Sequence, residues 1–415
     1  MPLKFRWETE FKETEIGEIP KDWEVHSLGE VVKDAIVGAT PLKRVNKYWI
    51  NGTIPWLTNK ELEYGKINFV EDTEEKVNTI ALEETNLKFL PPNSLIISFT
   101  ASVGKVAINK VPITTNQQFI GFVIENMDTV RYLGYYFLIN RELIETFSGA
   151  TPFSFITKEK ALQIPIILPP LPEQARIATV LSWFDDLIEV KKKQNEILEK
   201  TAMAIFKNWF IDFEPFKDEE FVYNEELGKE IPKGWEVKRL GDVVEFFDHK
   251  RIPLSQIERL KRQGIYPYYG ANGIIDYVDD FLFDGKFLLV PEDGIIADKD
   301  GYTISFLVNE KFWANNHIHV LKGKLTETEF LYLFLKLTPI EPYITGAVQP
   351  KLSQGNMSKI PILLPPPPIL QSFHSLVEPL FQKIILNQKQ IMTLRKVRDT
   401  LLPLLVFGKL RVEEM

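Results

Sequence analysis

The residues with the most chemistry to offer sit in short loops, and they are of the kinds that grip phosphate and read base edges. Lys43, Arg44, Asn46 and Lys47 crowd into five positions, with Thr40 just before them and Trp56 and Thr58 just after. Lys250 and Arg251 open a second basic stretch, which continues through Arg259, Lys261 and Arg262. Lysine and arginine suit phosphate oxygens, whereas arginine, asparagine, glutamine, serine and threonine can pair with base edges. Asn116 and Gln117 supply the second kind, and Asn315 and Asn316 do so in a matched place further along. Ser102 and Lys105 lie between two strand-like runs, and Tyr268, Tyr269 and Asn272 belong to an aromatic, glycine-bearing turn. Gln349 and Lys351 close a late loop. Each group also has a plainer reading: cation clusters are commonly solvated faces, and Asn or Gln at a turn commonly caps it.

No catalytic constellation accompanies these loops. Val103-Gly104-Lys105 lacks the earlier glycine and the following Ser/Thr of a phosphate-binding loop. There is no Asn-Pro-Pro-aromatic or Asp-Pro-Pro-aromatic run, such as amino-methylating DNA methyltransferases use to hold the target amine, and no Gly-x-Ser-x-Gly. His317 and His319 share one strand face, but without a third ligand nearby, packing or hydrogen bonding is the better reading, and no metal site is expected. Asp185-Asp186 reads as a solvated helix face.

At 415 residues, 45% hydrophobic and 26% charged, the chain is long enough for two or three domains with their own cores. It has no cysteine, which excludes disulfides and thiolate metal sites. Its start has no apolar signal-like segment, and no apolar run of membrane-spanning length occurs, so a cytoplasmic protein without membrane contact is expected. The net charge of −8, from 49 basic and 57 acidic side chains, weighs against a nucleic-acid partner in the round. Much of that acid lies in the stretches 8–18, 71–75 and 212–230, which leaves room for basic fields elsewhere.

The elements that must position these loops come in two copies. Ile19-Pro20-Lys21-Asp22-Trp23-Glu24-Val25 returns as Ile231-Pro232-Lys233-Gly234-Trp235-Glu236-Val237, and Ile164-Pro165-Ile166-Ile167-Leu168-Pro169-Pro170 returns as Ile360-Pro361-Ile362-Leu363-Leu364-Pro365-Pro366. The chain reads as a tandem duplication. Behind each proline-flanked strand, apolar residues recur at 3.5-residue spacing: Ile177, Leu181, Phe184 and Ile188 through Trp209, then Phe373, Val377, Leu380 and Ile384 through Leu401. That spacing predicts two long helices paired as a coiled coil, the first ending near Asp212 and the second stopped by Pro403 and Gly408. If they run antiparallel, paired residues have a nearly constant sum of numbers, which brings the polar interruptions Asn195 and Asn387 together. The expected boundaries are 1–168, 169–213, 214–365 and 366–415.

The doubled Ile-Pro-Lys-x-Trp-Glu-Val, the Ile-Pro-x-x-Leu-Pro-Pro before each helix, Pro172-Glu173-Gln174, Gly38-Ala39-Thr40-Pro41, Ile54-Pro55-Trp56-Leu57-Thr58 and Tyr268-Tyr269-Gly270-Ala271-Asn272-Gly273 together resemble the specificity subunit of type I restriction-modification systems. One departure is Pro368-Ile369-Leu370-Gln371 where the second copy of Pro-Glu-Gln would stand. The resemblance implies an α+β protein: two mixed α/β target-recognition domains with small twisted sheets, separated by an antiparallel coiled coil of two long helices, in a pseudo-two-fold tandem repeat. It implies that each domain reads one half of a bipartite, asymmetric site in double-stranded DNA. The subunit would not be an enzyme. It would dock two methyltransferase subunits and, in the restricting complex, motor-nuclease subunits. S-adenosylmethionine, ATP and magnesium would belong to those partners, with no cofactor in this chain. A coiled-coil adaptor that binds only proteins and a self-sufficient DNA methyltransferase are the alternatives.

Overall fold

A computed structural model describes residues 3–100, 102–148, 156–346 and 349–414. By their contacts they form two compact units, Met1–Glu189 with Met392–Met415, and Val190–Ile391. Each unit therefore contains part of both long helices.

In the first unit, Leu95–Ser98 and Val106–Asn109 are buried throughout because their sheet is covered on both faces. The five-stranded order is Asp34–Val37, Phe119–Val123, Leu95–Ser98, Val106–Asn109 and Ile67–Val70, antiparallel except for the last, parallel pair. Alternation divides the strand residues between the faces: Leu95 and Ile97 join a core with Val130, Leu133 and Phe137 of the helix Met127–Ile139, while Ile96 joins Leu57, Leu90 and Ile113. A smaller sheet sets Ile54–Leu57 between Thr114–Thr115 and Lys76–Val77. The sequence from Tyr132 to Glu145 reads by itself as one amphipathic helix; in the structure the helix begins earlier, where the Asn126 side chain caps Asp128 and Thr129, and it breaks at Asn140 before resuming as Arg141–Ser148. Of Ser148 to Pro152, which the sequence suggests as a loop, Ser148 ends this helix and the rest lies outside the described residues. Leu3–Trp7 pairs antiparallel with Leu410–Glu414, so both termini belong to this unit.

The second unit repeats the plan with longer strands. Its six-stranded sheet runs Val244–Phe246, Ile318–Gly323, Phe283–Pro291, Phe306–Ala314, Gln263–Gly270 and Gly273–Val278, with a parallel pair between the fourth and fifth. The repeated sequence motifs pair in both units: Glu24–Ser27 with Pro165–Leu168, and Glu236–Arg239 with Pro361–Leu364.

The long helices are Leu171–Phe210 and Pro367–Val406, 40 residues each. The second ends at Val406, between the two stop signals its sequence carries, Pro403 and Gly408, and it passes through both Pro379 and Pro403. An interior proline costs about 3 kcal/mol, and here Leu402, Leu405 and Val406 are buried in the first unit's core beside Ile177 and Leu181, which offsets it. The turn ends at Gly408, whose φ of +67° suits glycine. Antiparallel pairing is direct within each unit. In the first, Arg398 donates to Asp185 at 2.5 Å. In the second, Lys191 donates to Gln390 at 2.5 Å and Asn387 Nδ2 to Asn195 Oδ1 at 2.9 Å, so the two seam interruptions meet as expected. Asp185 is thus not a solvated acid: besides Arg398, it accepts from the Tyr135 hydroxyl at 2.8 Å. No helix of the described residues is long and apolar enough to cross a membrane.

Candidate nucleic-acid interface

Both units build the same small device from different residues. Thr114 and Thr115 pair in parallel with Trp56 and Leu57, and Trp313 and Ala314 pair in parallel with Tyr268 and Tyr269. Just beyond each parallel pair an asparagine turns the chain. Asn116 N donates to Leu57 O at 3.1 Å while its Oδ1 accepts from Gln118 N at 3.0 Å. Asn315 N donates to Tyr269 O at 3.0 Å while its Oδ1 accepts from His317 N at 2.8 Å. Each turn pushes its tip into solvent, Gln117 in the first unit and Asn316 with His317 in the second. The scaffold is common and the exposed tip differs.

The loop that follows Val37 is laced to the first tip. Gly38 N donates to Phe119 O, Ala39 N to Thr115 O, and the Thr40 hydroxyl to Gln117 Oε1. A Cβ on Gly38 would lie 2.0 Å from Asn116 O, so this approach requires glycine. Lys43 lies over the Trp49 ring at 3.7 Å and donates to Glu75 at 2.5 Å. Lys47 pairs with Glu84 and stands over Tyr48. Arg44 and Asn46 are exposed, and their side chains have no hydrogen-bond or ion-pair partner among the described residues. The acids at 71–75, separate in sequence from the basic loop, thus neutralise part of it. Exposed pairs of this kind contribute about 0–1 kcal/mol and exchange readily for a phosphate.

Several expected contact residues are framework instead. Trp56 is buried and donates from Nε1 to Ala39 O at 3.0 Å, because its ring fills the core between the loop and the small sheet. Thr58 forms a capping box with Glu61. Lys105 is buried and satisfies the carbonyls of Asn59 and Leu62, each at 2.7 Å. Asn116 and Asn315 are turn caps, as their plainer reading had it. Arg251 is consumed by Glu292 at 2.8 Å and by Ile318 O at 2.9 Å. The Tyr268 hydroxyl accepts from Leu254 N, and the buried Tyr269 donates to Glu310. In each case a polar group inside the fold must find a partner there, and that need decides where the side chain goes.

In the second unit the exposed remainder lies around one tip. Asn272 crowns the Gly270–Gly273 turn, and Gly270 adjoins the Asn315 amide. His317 pairs with Asp293 at 2.7 Å, and Asp293 bridges to Lys351, whose Nζ meets Glu292 at 2.9 Å. Arg251 Nη1 also contacts Asn316 O, which draws Asn316 toward this group. Burial would raise the Glu292 carboxyl, but Arg251 and Lys351 outweigh it and hold it below the ordinary carboxylate range. Lys250 and Gln349 are exposed. Ser102 is half-exposed on the loop beside Thr100, whose carbonyl accepts from Asn59. His319 is buried with both ring nitrogens engaged, by Asp248 and by Leu352 O, so it offers nothing to a metal.

Further residues take part: Gln118 beside Gln117 and Arg262 in the second basic stretch were visible in the sequence, whereas Asn59, Arg141, Glu84, Asp276 and Asp279 carried no signal there. Gln118, next to the tip, joins Asn59 and Asn116 through one carbonyl oxygen. Arg141 stands over the Tyr64 ring, and Arg262 over Trp313. The acids Glu84, Asp276 and Asp279 set the charge of the loops from other strands and helices. Only the fold brings these residues together.

Comparison with known proteins gives a consistent picture. A profile of the type I restriction modification DNA specificity domain matches residues 20–200 and 232–396, one copy per repeat. The chain is 43% identical over 440 aligned positions to the type I restriction enzyme MjaIX specificity subunit of Methanocaldococcus jannaschii, covering 100% of this chain and 99% of that one. A second relative from the same organism, a putative type I restriction enzyme MjaX specificity subunit, is 27% identical over 99% of both chains. The fold matches a type I restriction-modification S subunit from M. genitalium with a TM-score of 0.55 at 18% identity, covering 95% of this chain and 96% of that one. A duplicated scaffold with divergent polar tips, matched once per repeat and along its full length, places this chain among the specificity subunits of type I restriction-modification systems, which recognise DNA targets and are not themselves catalytic.

Proposed function

We propose that the two recognition domains read the two halves of a split, asymmetric double-stranded DNA site. The observation that carries this is the repeated asparagine turn, which keeps one backbone device in both units and changes only what it presents, Gln117 against Asn316. Around the first tip, Thr40, Arg44 and Asn46 are the groups best placed to meet bases and phosphates, with Lys43 and Lys47 exchanging their carboxylate partners for phosphate. Around the second, Lys250, Asn272, Gln349 and Lys351 take those parts. In a site of unlike halves, unlike tips are required.

The same proposal assigns the long helices to docking two methyltransferase subunits and, in a restricting complex, the motor-nuclease subunits. S-adenosylmethionine, ATP and magnesium would be bound by those partners and not by this chain. The decisive experiment is to map adenine methylation in cells that carry this chain with its methyltransferase partner. The expected pattern is a motif of two specified blocks separated by an unspecified gap. A single contiguous motif, or no change in methylation when this chain is deleted, would overturn the reading.

A further inference from the structure

The helix Thr328–Lys336 begins with two glutamates that its own N-terminus does not use for a side-chain cap. Glu327 is the exposed N-cap residue and makes no capping bond, and Glu329, in the first turn, is 1% exposed. They face His374 on the second long helix, and one ligand atom from each of the three lies within 4.8 Å of the other two. Glu329 Oε1 accepts from Lys286, and His374 Nε2 meets Glu378 at 3.4 Å. The remaining atoms, Glu329 Oε2 and His374 Nδ1, are shielded from solvent and have no hydrogen-bond partner. Leaving such groups unpaired is costly.

We propose that Glu327, Glu329 and His374 form a binding site for one divalent transition-metal ion, zinc being the best fit. Two carboxylates and one imidazole are a ligand set that zinc accepts with a fourth, water-filled position, whereas magnesium and calcium favour oxygen alone. Ligand bonds of about 2.0–2.2 Å require ligand atoms about 3.3 Å apart. A modest closing of the present cluster is enough, and the exposed Glu327 side chain can supply it. With Lys286 held on Oε1, the site keeps a net negative charge for a dication while Oε2 remains free to bind.

The other acidic and histidine cluster, Asp248, Glu292 and His319, differs in the respect that matters. There Arg251, Lys351, Val320 N and Leu352 O have already taken the ligand atoms. The position 196 residues before His374 is Ala178, so the metal site belongs to the second repeat alone. Its task is structural: Phe330, Leu331 and Leu333 bury the short helix in the recognition domain's core, and the ion ties its first turn to the long helix.

The test is calorimetric titration of the full-length, chelator-treated chain with Zn2+ in the absence of DNA, paired with thermal unfolding. One zinc per chain is expected, with a raised unfolding midpoint, and a hundredfold excess of Mg2+ should not compete. Glu327→Gln, a surface change that leaves the core intact, should weaken binding at least tenfold, and His374→Gln should abolish it. Should His374→Gln fail to fold, Glu327→Gln decides alone. No stoichiometric uptake, uptake unaltered by Glu327→Gln, or equal competition by Mg2+ would each overturn the proposal.

Discussion

Arg411 shows how one residue can hold the first unit together. It donates to Glu173 at 2.6 and 2.7 Å, to Asp22 at 2.8 and 3.0 Å and to Glu8 at 2.5 Å, and Glu173 also accepts from Trp23 Nε1. The Glu173 of Pro-Glu-Gln is therefore buried inside this unit and bonded there, which explains why the second repeat can do without it. In that repeat the equivalent tryptophan, Trp235, is packed instead by Phe213 and Phe216 with ring centres 5.5 and 5.1 Å away, and its Nε1 has no partner. The two solutions should respond differently to perturbation. Removing one partner of a buried ion group leaves uncompensated charge and costs about 3–5 kcal/mol, so Arg411→Met should lower stability by that order in a urea melt of the first unit's signal. The pH dependence follows from Glu8. Burial would raise its carboxyl, but the N–H groups of Glu10 and Thr9, with Arg411 and Arg6, hold it down at about 2, below its ordinary 4.5. A depressed carboxylate stabilises the fold fully above its ordinary value and loses that contribution as pH falls toward 2. Urea midpoints measured from pH 7 to 2 should therefore decline below pH about 4.5, and in Arg411→Met the decline should be shallower. An equal slope in both proteins would show that this cluster does not govern the acid limb.

At the scale of elements, the paired asparagines in the helical seam trade stability for register. Asn387 is fully buried, donates to Asn195, and keeps its own Oδ1 unsatisfied. Replacing both with leucine should raise the unfolding midpoint while permitting slipped pairings. Because the chain has no cysteine, the register can be read directly. Cysteines introduced at Lys191 and Gln390 should crosslink almost completely in the parent. A pair at Lys191 and Leu386, one turn out of register, should crosslink only in the leucine background. The helices were legible in the sequence because a 3.5-residue period sustained over ten turns has no other physical source. Their ends were legible to within a few residues: the first stops at Phe210 against an expected Asp212, and the second at Val406, short of Gly408 but past Pro403, a local stop signal that tertiary burial overrides. The loops were legible in residue type and illegible in role. Nothing near Lys105 in sequence announces the carbonyls of Asn59 and Leu62 that hold it, and nothing near Lys43 announces Glu75. Gly38 illustrates the same point: Gly38→Ala must displace the Asn116 turn, and overpacking of this kind costs about 1–3 kcal/mol. Thermal melts should show that loss, and binding to one half-site should fall with it.

At the scale of the whole molecule, the chain contains two units with separate cores and separate tips, so their specificities should be separable by mutation. Gln117→Ala with Arg44→Ala alters exposed groups of the first unit and leaves its core untouched. Asn272→Ala with Asn316→Ala does the same in the second. A side chain that reads a base edge contributes about 1–3 kcal/mol of discrimination, whereas one that contacts phosphate weakens all sequences alike and reduces the salt slope by about one. The first pair of changes should therefore relax or weaken one block of the bipartite motif, and the second pair the other block, each with the opposite block unaltered. Affinities on oligonucleotides bearing one correct and one scrambled half, measured over a range of salt, separate these cases. Lys105→Met serves as the contrasting change. Lys105 is buried within the first unit, so its loss should lower the melting midpoint and the affinity for that half together, with no change of preferred base. If the first and second pairs of changes blurred the same block, the assignment of one reader to each repeat would be wrong.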